Sequence, residues 1–240
     1  GVGILQSQGP SGAPVIVLEN LRKSFVLNGA VRHVASNINA VFPAGRSVAL
    51  LGRNGAGKST LLKMIAGADR PTSGRVICHG SVSWPVGFAG SFHPDLTGEQ
   101  NTRFVARIYN TDTAQMIHFV RDFAELGQHF HLPVRSYSSG MKSRLAFGVS
   151  MAIRFDTYLV DEVTSVGDAN FKEKSKTVFK ARMQEAGAIV VSHSNSMLRD
   201  ICDMGAVLDG GRLTMFEDLD LAIDVHGENM RRSRMQPAQT

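Results

Sequence analysis

The stretch GRNGAGKST (52–60) fits the pattern G-x-x-x-x-G-K-[ST] and decides the reading of this chain. Glycines at this spacing let successive backbone N–H groups turn toward phosphate oxygens. Gly52, Asn54, Gly55, Ala56, Gly57, Lys58, Ser59 and Thr60 are therefore the expected phosphate cradle. Lys58 is placed to reach the terminal phosphates, and Ser59 to hold Mg²⁺. The flanks agree. SVALL (47–51) reads as an apolar strand, and STLLKMIAG (59–67) as a helix whose positive end would face the phosphates.

Bulk properties narrow the class. The 240 residues suffice for one large α/β domain, or a main domain with a small subdomain. The formal charge of +5 is mild and calls for no nucleic acid partner, though it allows an acidic membrane surface. The only two cysteines, Cys78 and Cys202, imply neither a disulfide framework nor a metal cluster, and both read as small buried hydrophobes. No apolar run reaches spanning length, and residues 1–14 read as a lead-in without the features of a signal peptide. A cytoplasmic protein is expected, unless a membrane partner holds it.

Along the chain, VIVLENLRKSF (15–25) and VRHVASNINAVF (31–42) flank Asn28-Gly29, a strong hairpin signal. ADRPTSGRVICHG (68–80) gives a turn and a short strand, and SWPVGFAGSFHPDLTG (83–98) a long irregular loop. Helices are expected over 99–109, 112–127 and 141–155. The second puts Met116, Phe119, Val120, Phe123 and Leu126 on one side and ends at Gly127. The last third alternates: strand 156–162, helix 170–187, strand 188–193, then a hairpin around Asp209-Gly210-Gly211. This order predicts a mostly parallel sheet covered by helices, with an N-terminal antiparallel β part and a helical subdomain.

Two further segments carry chemistry. Asp161-Glu162 closes the apolar strand TYLV, and the carboxyl end of a buried parallel strand is where α/β nucleotide sites form. Asp161 would join the Mg²⁺ shell, and Glu162 would polarise the attacking water. YSSGMKSR (137–144) puts Ser138, Ser139 and Gly140 at a helix start, where N–H groups and hydroxyls meet an anion. By itself this segment also reads as an ordinary N-cap.

Taken together, these segments resemble the nucleotide-binding subunit of ABC transporters. GRNGAGKST resembles the family's Walker A, YSSGMKSR its signature, TYLVDE its Walker B and SVGD (165–168) its D-loop. The likeness covers residues 15–217, including a helical subdomain of about 95–155, and leaves 218–240 as a short tail. It implies a P-loop NTPase of ABC type that hydrolyses ATP with Mg²⁺. It further implies that His193 contacts the γ-phosphate and the attacking water, that Phe25 stacks on adenine, and that Asp168 acts across a dimer. Two copies would pair head to tail, with Ser138, Ser139 and Gly140 of one closing on the nucleotide of the other. An integral membrane permease is the implied partner, reached through 83–100 with Trp84 and Phe92 as anchors.

The chain departs from the pattern twice. Tyr137, Ser139 and Met141 stand where Leu, Gly and Gln are usual, and the Q-loop glutamine is missing near Gly87 or Phe88, with His93 as its candidate substitute. The Gly-rich, Trp-Pro segment running into FHPDLTGEQNTRFVARIY resembles ATPases that export bacterial surface polysaccharides. Since the chain ends at Thr240, soon after LDGGRL (208–213), the capsular type is implied over the type with an added carbohydrate-binding domain. The expected location is the cytoplasmic face of the bacterial inner membrane, with periplasm-spanning export proteins reached through the permease. Export of another substrate, such as lipid, is the alternative, and action on nucleic acid a more distant one. The tail's Arg231, Arg232 and Arg234 invite a lipid contact.

Overall fold

The computed structural model describes residues 15–27, 29–87, 90, 92–162 and 169–235. The D-loop with Asp168, and the Phe88 position, lie outside the described residues. The chain divides into two compact units. The first comprises 1–82, 156–162 and 185–240, and the second 83–155 and 163–184.

In the first unit, β1 (Val15–Leu27) pairs antiparallel with β2 (Ala30–Phe42) and with β4 (Ser73–His79). A parallel set lies in the same unit. β6 (Thr157–Asp161), β7 (Gly187–Val191), β3 (Ser47–Leu51) and β8 (Met204–Asp209) are adjacent in that order, and β9 (Arg212–Phe216) closes antiparallel on β8. Every residue of β3 and β7 is buried, which is why SVALL and AIVV read as unbroken apolar runs instead of alternating ones. The two sheets share one core. Ile16, Leu18 and Ile38 of the antiparallel part join Val48, Leu50, Leu61, Leu62 and Ile189 in it. The β8–β9 turn has Gly210 and Gly211 at φ 53° and 77°, the left-handed pair that a two-residue hairpin needs.

Helix α1 (Lys58–Ile65) follows β3 and buries Leu61, Leu62, Met64 and Ile65. β5 is Val82–Pro85. α6 (Asn195–Ile201) precedes β8 and is capped by the Ser194 side chain, which accepts from the Met197 N–H. Cys202 is buried just after it, and burial pushes its thiol up to about 12. Cys78 is only half-buried, against expectation. The C-terminal segment is a helix, α7 (Leu219–Met235), where the sequence showed only a tail. It packs on β8 so closely that a Cβ on Gly205 would lie 2.2 Å from the Ala222 Cβ.

The second unit is helical. α2 (Gly98–Ile108) opens with a capping box: the Gln100 N–H donates to Thr97 Oγ1, and the Thr97 N–H to Gln100 Oε1. Buried Asn101 donates through its amide to the carbonyls of His93, Leu96 and Thr97 and accepts from the His93 N–H, so one side chain orders the turn before the helix. α3 (Thr113–Ala124) stops before the expected Gly127. Glu125 takes the left-handed position at φ 51°, its carboxylate 2.6 Å from Lys174 Nζ, and a short 3₁₀ helix, Gly127–His131, follows.

α4 (Ser139–Ala152) buries every residue from Leu145 to Met151, and α5 (Ala169–Glu185) brings Phe171, Phe179 and Met183 inward. Phe123 is the hub of these helices. Its ring centroid lies 5.7 Å from Phe119, 5.7 Å from Phe147 and 5.3 Å from Phe171. Trp84, expected as an outward anchor, is half-buried. Its ring packs on Tyr109 and Phe155, and its Nε1–H donates to Ser150 Oγ at 3.1 Å.

Phe123→Ala should cost about 3–5 kcal/mol, the usual penalty for deleting a buried aromatic. Urea unfolding followed by circular dichroism will measure it. A loss below about 1 kcal/mol would remove Phe123 from its central place.

Candidate active site

A cavity of about 420 Å³ in the first unit is lined by Phe25, Arg32, Val34, Asn54, Gly55, Gly57, Lys58, Ser59, Thr60, Asp161, Glu162 and Val191. The fold builds it from strand ends and one helix start. β3 delivers the loop that begins at Gly52, and α1 begins at Lys58, so the first N–H groups of the helix, which have no intrahelical partners, belong to the end of the loop. β6 delivers Asp161 and Glu162, and the β1–β2 hairpin delivers Phe25, Arg32 and Val34.

Packing dictates the loop's conformation. Gly57 sits at φ 106°, and a Cβ there would come within 2.0 Å of Val34 Cγ1. At Gly52 an added Cβ would come within 2.6 Å of the Leu208 carbonyl oxygen. Gly55 is at φ 75°, and the Ala56 N–H donates to the Arg53 carbonyl at 3.0 Å. Lys58 Nζ donates to the carbonyls of Gly52 at 2.7 Å and Arg53 at 3.0 Å, which ties the ammonium across its own loop. Burial holds the Lys58 pKa below the ordinary lysine value, while the Glu162 and Asp161 carboxylates pull it back up. His226 of α7 feels this charge. Its pKa is lowered, first by burial and then by Lys58, against the pull of Asp209.

At the acidic end, the Glu162 N–H donates to the Val191 carbonyl, and Glu162 Oε1 lies 2.9 Å from His193 Nε2. Glu162 is held at φ 48°, a left-handed conformation that costs a non-glycine residue about 1 kcal/mol. Ser59 and Asp161 line the same cavity, a hydroxyl and a carboxylate oxygen. This hard-oxygen pair suits Mg²⁺, which takes few protein ligands and completes its shell with water and phosphate. No group of three or more His, Cys, Asp and Glu able to hold a metal occurs among the described residues.

Phe25 is partly exposed at the cavity wall, with Lys23 Nζ 5.0 Å from its ring centroid and itself 2.7 Å from Asp69. Ser138, Ser139 and Gly140 belong to the second unit and are not among the residues lining this cavity. Ser138 caps α4 by accepting from the Met141 N–H. Tyr137, the departure beside them, is buried. Its hydroxyl donates to the His129 carbonyl at 2.6 Å, and a Cβ on Gly98 would lie 2.5 Å from that oxygen. His93 is exposed, and its Nδ1 accepts from the Asp95 N–H within its own turn. Sequence reasoning missed Arg32 and Val34, which also line the cavity. The only signal was their place on the predicted hairpin next to Phe25.

The family model for ABC transporters matches residues 35–165. The chain belongs to the ABC transporter family. It is 49% identical over 213 residues to the polysialic acid transport ATP-binding protein KpsT of Escherichia coli, covering 88% of this chain and 95% of that protein. It is 42% identical to the capsule polysaccharide export ATP-binding protein CtrD of Neisseria meningitidis, covering 88% and 98%. At 34% identity it resembles the O-antigen export system ATP-binding protein RfbB of Klebsiella pneumoniae. The fold matches the ATP-binding cassette MJ0796 in a dimeric post-hydrolysis state with ADP and Pi, with TM-score 0.70, 22% identity, and 85% and 98% of the two chains covered. Among the described residues of this ABC transporter chain, no helix is long and apolar enough to cross a membrane.

The strain at Glu162 is separable from its charge. Glu162→Gly should be more stable than Glu162→Ala by about 1 kcal/mol, because only glycine relaxes at positive φ. Paired denaturant titrations check this, and an alanine variant as stable as the glycine one would contradict it.

Proposed function

We propose that this chain is the ATP-hydrolysing subunit that powers export of a capsular or related surface polysaccharide through a membrane-spanning permease. The observation that carries the reading is the single cavity in which Lys58, Ser59, Asp161 and Glu162 meet. This chain also matches capsule-export ATP-binding proteins over nearly their whole length.

The chemistry follows from the groups present. The N–H groups of the loop and the Lys58 ammonium bind the β- and γ-phosphates of ATP. Ser59 and Asp161 would hold Mg²⁺, which would neutralise phosphate charge. Glu162 orients a water and takes its proton as the water oxygen bonds to the γ-phosphorus. The bond to the bridging oxygen breaks, leaving ADP and phosphate. His193, beside Glu162, holds the γ-phosphate end in line. Phe25 offers its ring face to the base.

The site is completed by a second copy packed head to tail under a two-fold axis. Gly140 supports this. It is the second residue of α4, and among the described residues a Cβ there would meet only Ser138 Oγ, at 3.9 Å. Close packing among the described residues does not require a glycine there. The near approach of a nucleotide held by the partner copy would. Asp168 is assigned to the same junction. ATP-driven pairing and release would move the permease from the cytoplasmic face of the inner membrane. Periplasm-spanning export proteins would be reached only through that permease.

Glu162→Gln should keep nucleotide affinity within about threefold but lower multiple-turnover phosphate release at least a hundredfold, the scale of losing a general base. It should also accumulate an ATP-bound dimer on size exclusion. In cells lacking their own export ATPase, the wild-type chain should restore surface polysaccharide and the variant should not. Turnover by Glu162→Gln near the wild-type rate would end the assignment.

A further inference from the structure

Strand β2 touches the phosphate loop at alternate residues. Val34 packs against Gly57, and two positions earlier, on the same face, Arg32 Nη2 donates to the Gly55 carbonyl at 2.8 Å. A Cβ on Gly55 would lie 3.3 Å from that nitrogen. The peptide joining Gly55 and Ala56 is thereby fixed at both ends, its carbonyl by Arg32 and its N–H by the Arg53 carbonyl. Arg32 is also the direct cross-strand partner of Phe25. Residues paired in this way project from one face of a sheet, and both side chains line the cavity.

Arg32 therefore stands at the join between two regions, with the aromatic wall of Phe25 on one side and the loop around Gly55, Lys58 and Ser59 on the other. Its guanidinium is always charged, and its planar fork of N–H donors matches phosphate oxygens. We propose that Arg32 is a further nucleotide-positioning residue, which steadies the crown of the phosphate loop and pairs with the α-phosphate. This rests on the nucleotide reading above and extends it to a residue outside the phosphate-loop motif. Because AMP, ADP and ATP all carry the α-phosphate, the effect should be common to all three. It should also spare the chemical step, which takes place at the γ-phosphate beside Glu162.

Arg32→Gln separates charge from support, since its amide still offers a donor to the Gly55 carbonyl while the positive charge is gone. Calorimetry on the full chain with MgADP and with a non-hydrolysed ATP analogue should show both affinities falling by a similar factor, roughly tenfold, the scale of one lost charge-assisted hydrogen bond. KM for ATP should rise in step while kcat stays within about twofold. Arg32→Lys should recover part of the affinity, and the melting temperature should barely move, because the side chain is exposed. Unchanged affinity in Arg32→Gln, with the wild type binding normally, would overturn the proposal and leave the nucleotide reading intact. A loss confined to the triphosphate would refute the α-phosphate pairing. A wild-type chain that binds neither nucleotide would overturn both.

Discussion

The site depends on one close approach, that of strand β2 to the phosphate loop at Gly57. With φ at 106° and Val34 Cγ1 2.0 Å from where a Cβ would sit, only glycine fits, and nothing larger can separate the two sheets at this point. That contact brings the antiparallel hairpin over the start of α1. Through it Phe25 and Arg32 come to line the same cavity as Asp161 at the end of β6 and Val191 at the end of β7. The shared core beneath, from Ile16 and Ile38 to Leu62 and Ile189, turns a local steric rule into a rigid one. A close-packed interior leaves little room for the loop to relax away from its strand.

The acidic end of the cavity follows a different rule. Asp161 continues a buried parallel strand, but Glu162 leaves it in a left-handed conformation, pinned by its N–H to Val191 and by its carboxylate to His193. Strain of this kind persists only where surrounding structure holds it, and it gathers where geometry serves chemistry. The two carboxylates are adjacent in sequence yet differ in conformation. This fits a division in which one serves a cation and the other a water.

What could be read from the sequence was whatever is encoded locally. GRNGAGKST declares itself because glycine spacing and a lysine are short-range requirements, and SVALL and AIVV because strands buried on both faces must be apolar throughout. Contacts between distant segments could not be read. Arg32 looks like a solvated charge on a hairpin until Gly55 is placed beside it. Trp84 reads as an exposed anchor, yet it is half-buried, with Tyr109 and Phe155 against its ring and Ser150 on its Nε1–H. α3 ends at Ala124 and not at Gly127: Glu125 takes the left-handed cap position, and Lys174, 49 positions away, pairs with its carboxylate. α7 was missed because few of its residues are fully buried, chiefly Leu219 and Ala222 against Gly205 of β8, which leaves no long apolar stripe to read. Tyr137 departs from the family pattern, and its reason is internal: its hydroxyl closes on the His129 carbonyl.

The left-handed glycine at position 57, pressed against Val34, shapes the cavity for a triphosphate. Equilibrium binding of a non-hydrolysed ATP analogue to wild type and to Gly57→Ala, with a thermal melt of each, tests it most directly. The variant should still melt cooperatively but bind the analogue at least tenfold more weakly, about 1.4 kcal/mol or more. A folded Gly57→Ala protein that binds as tightly as wild type would contradict it.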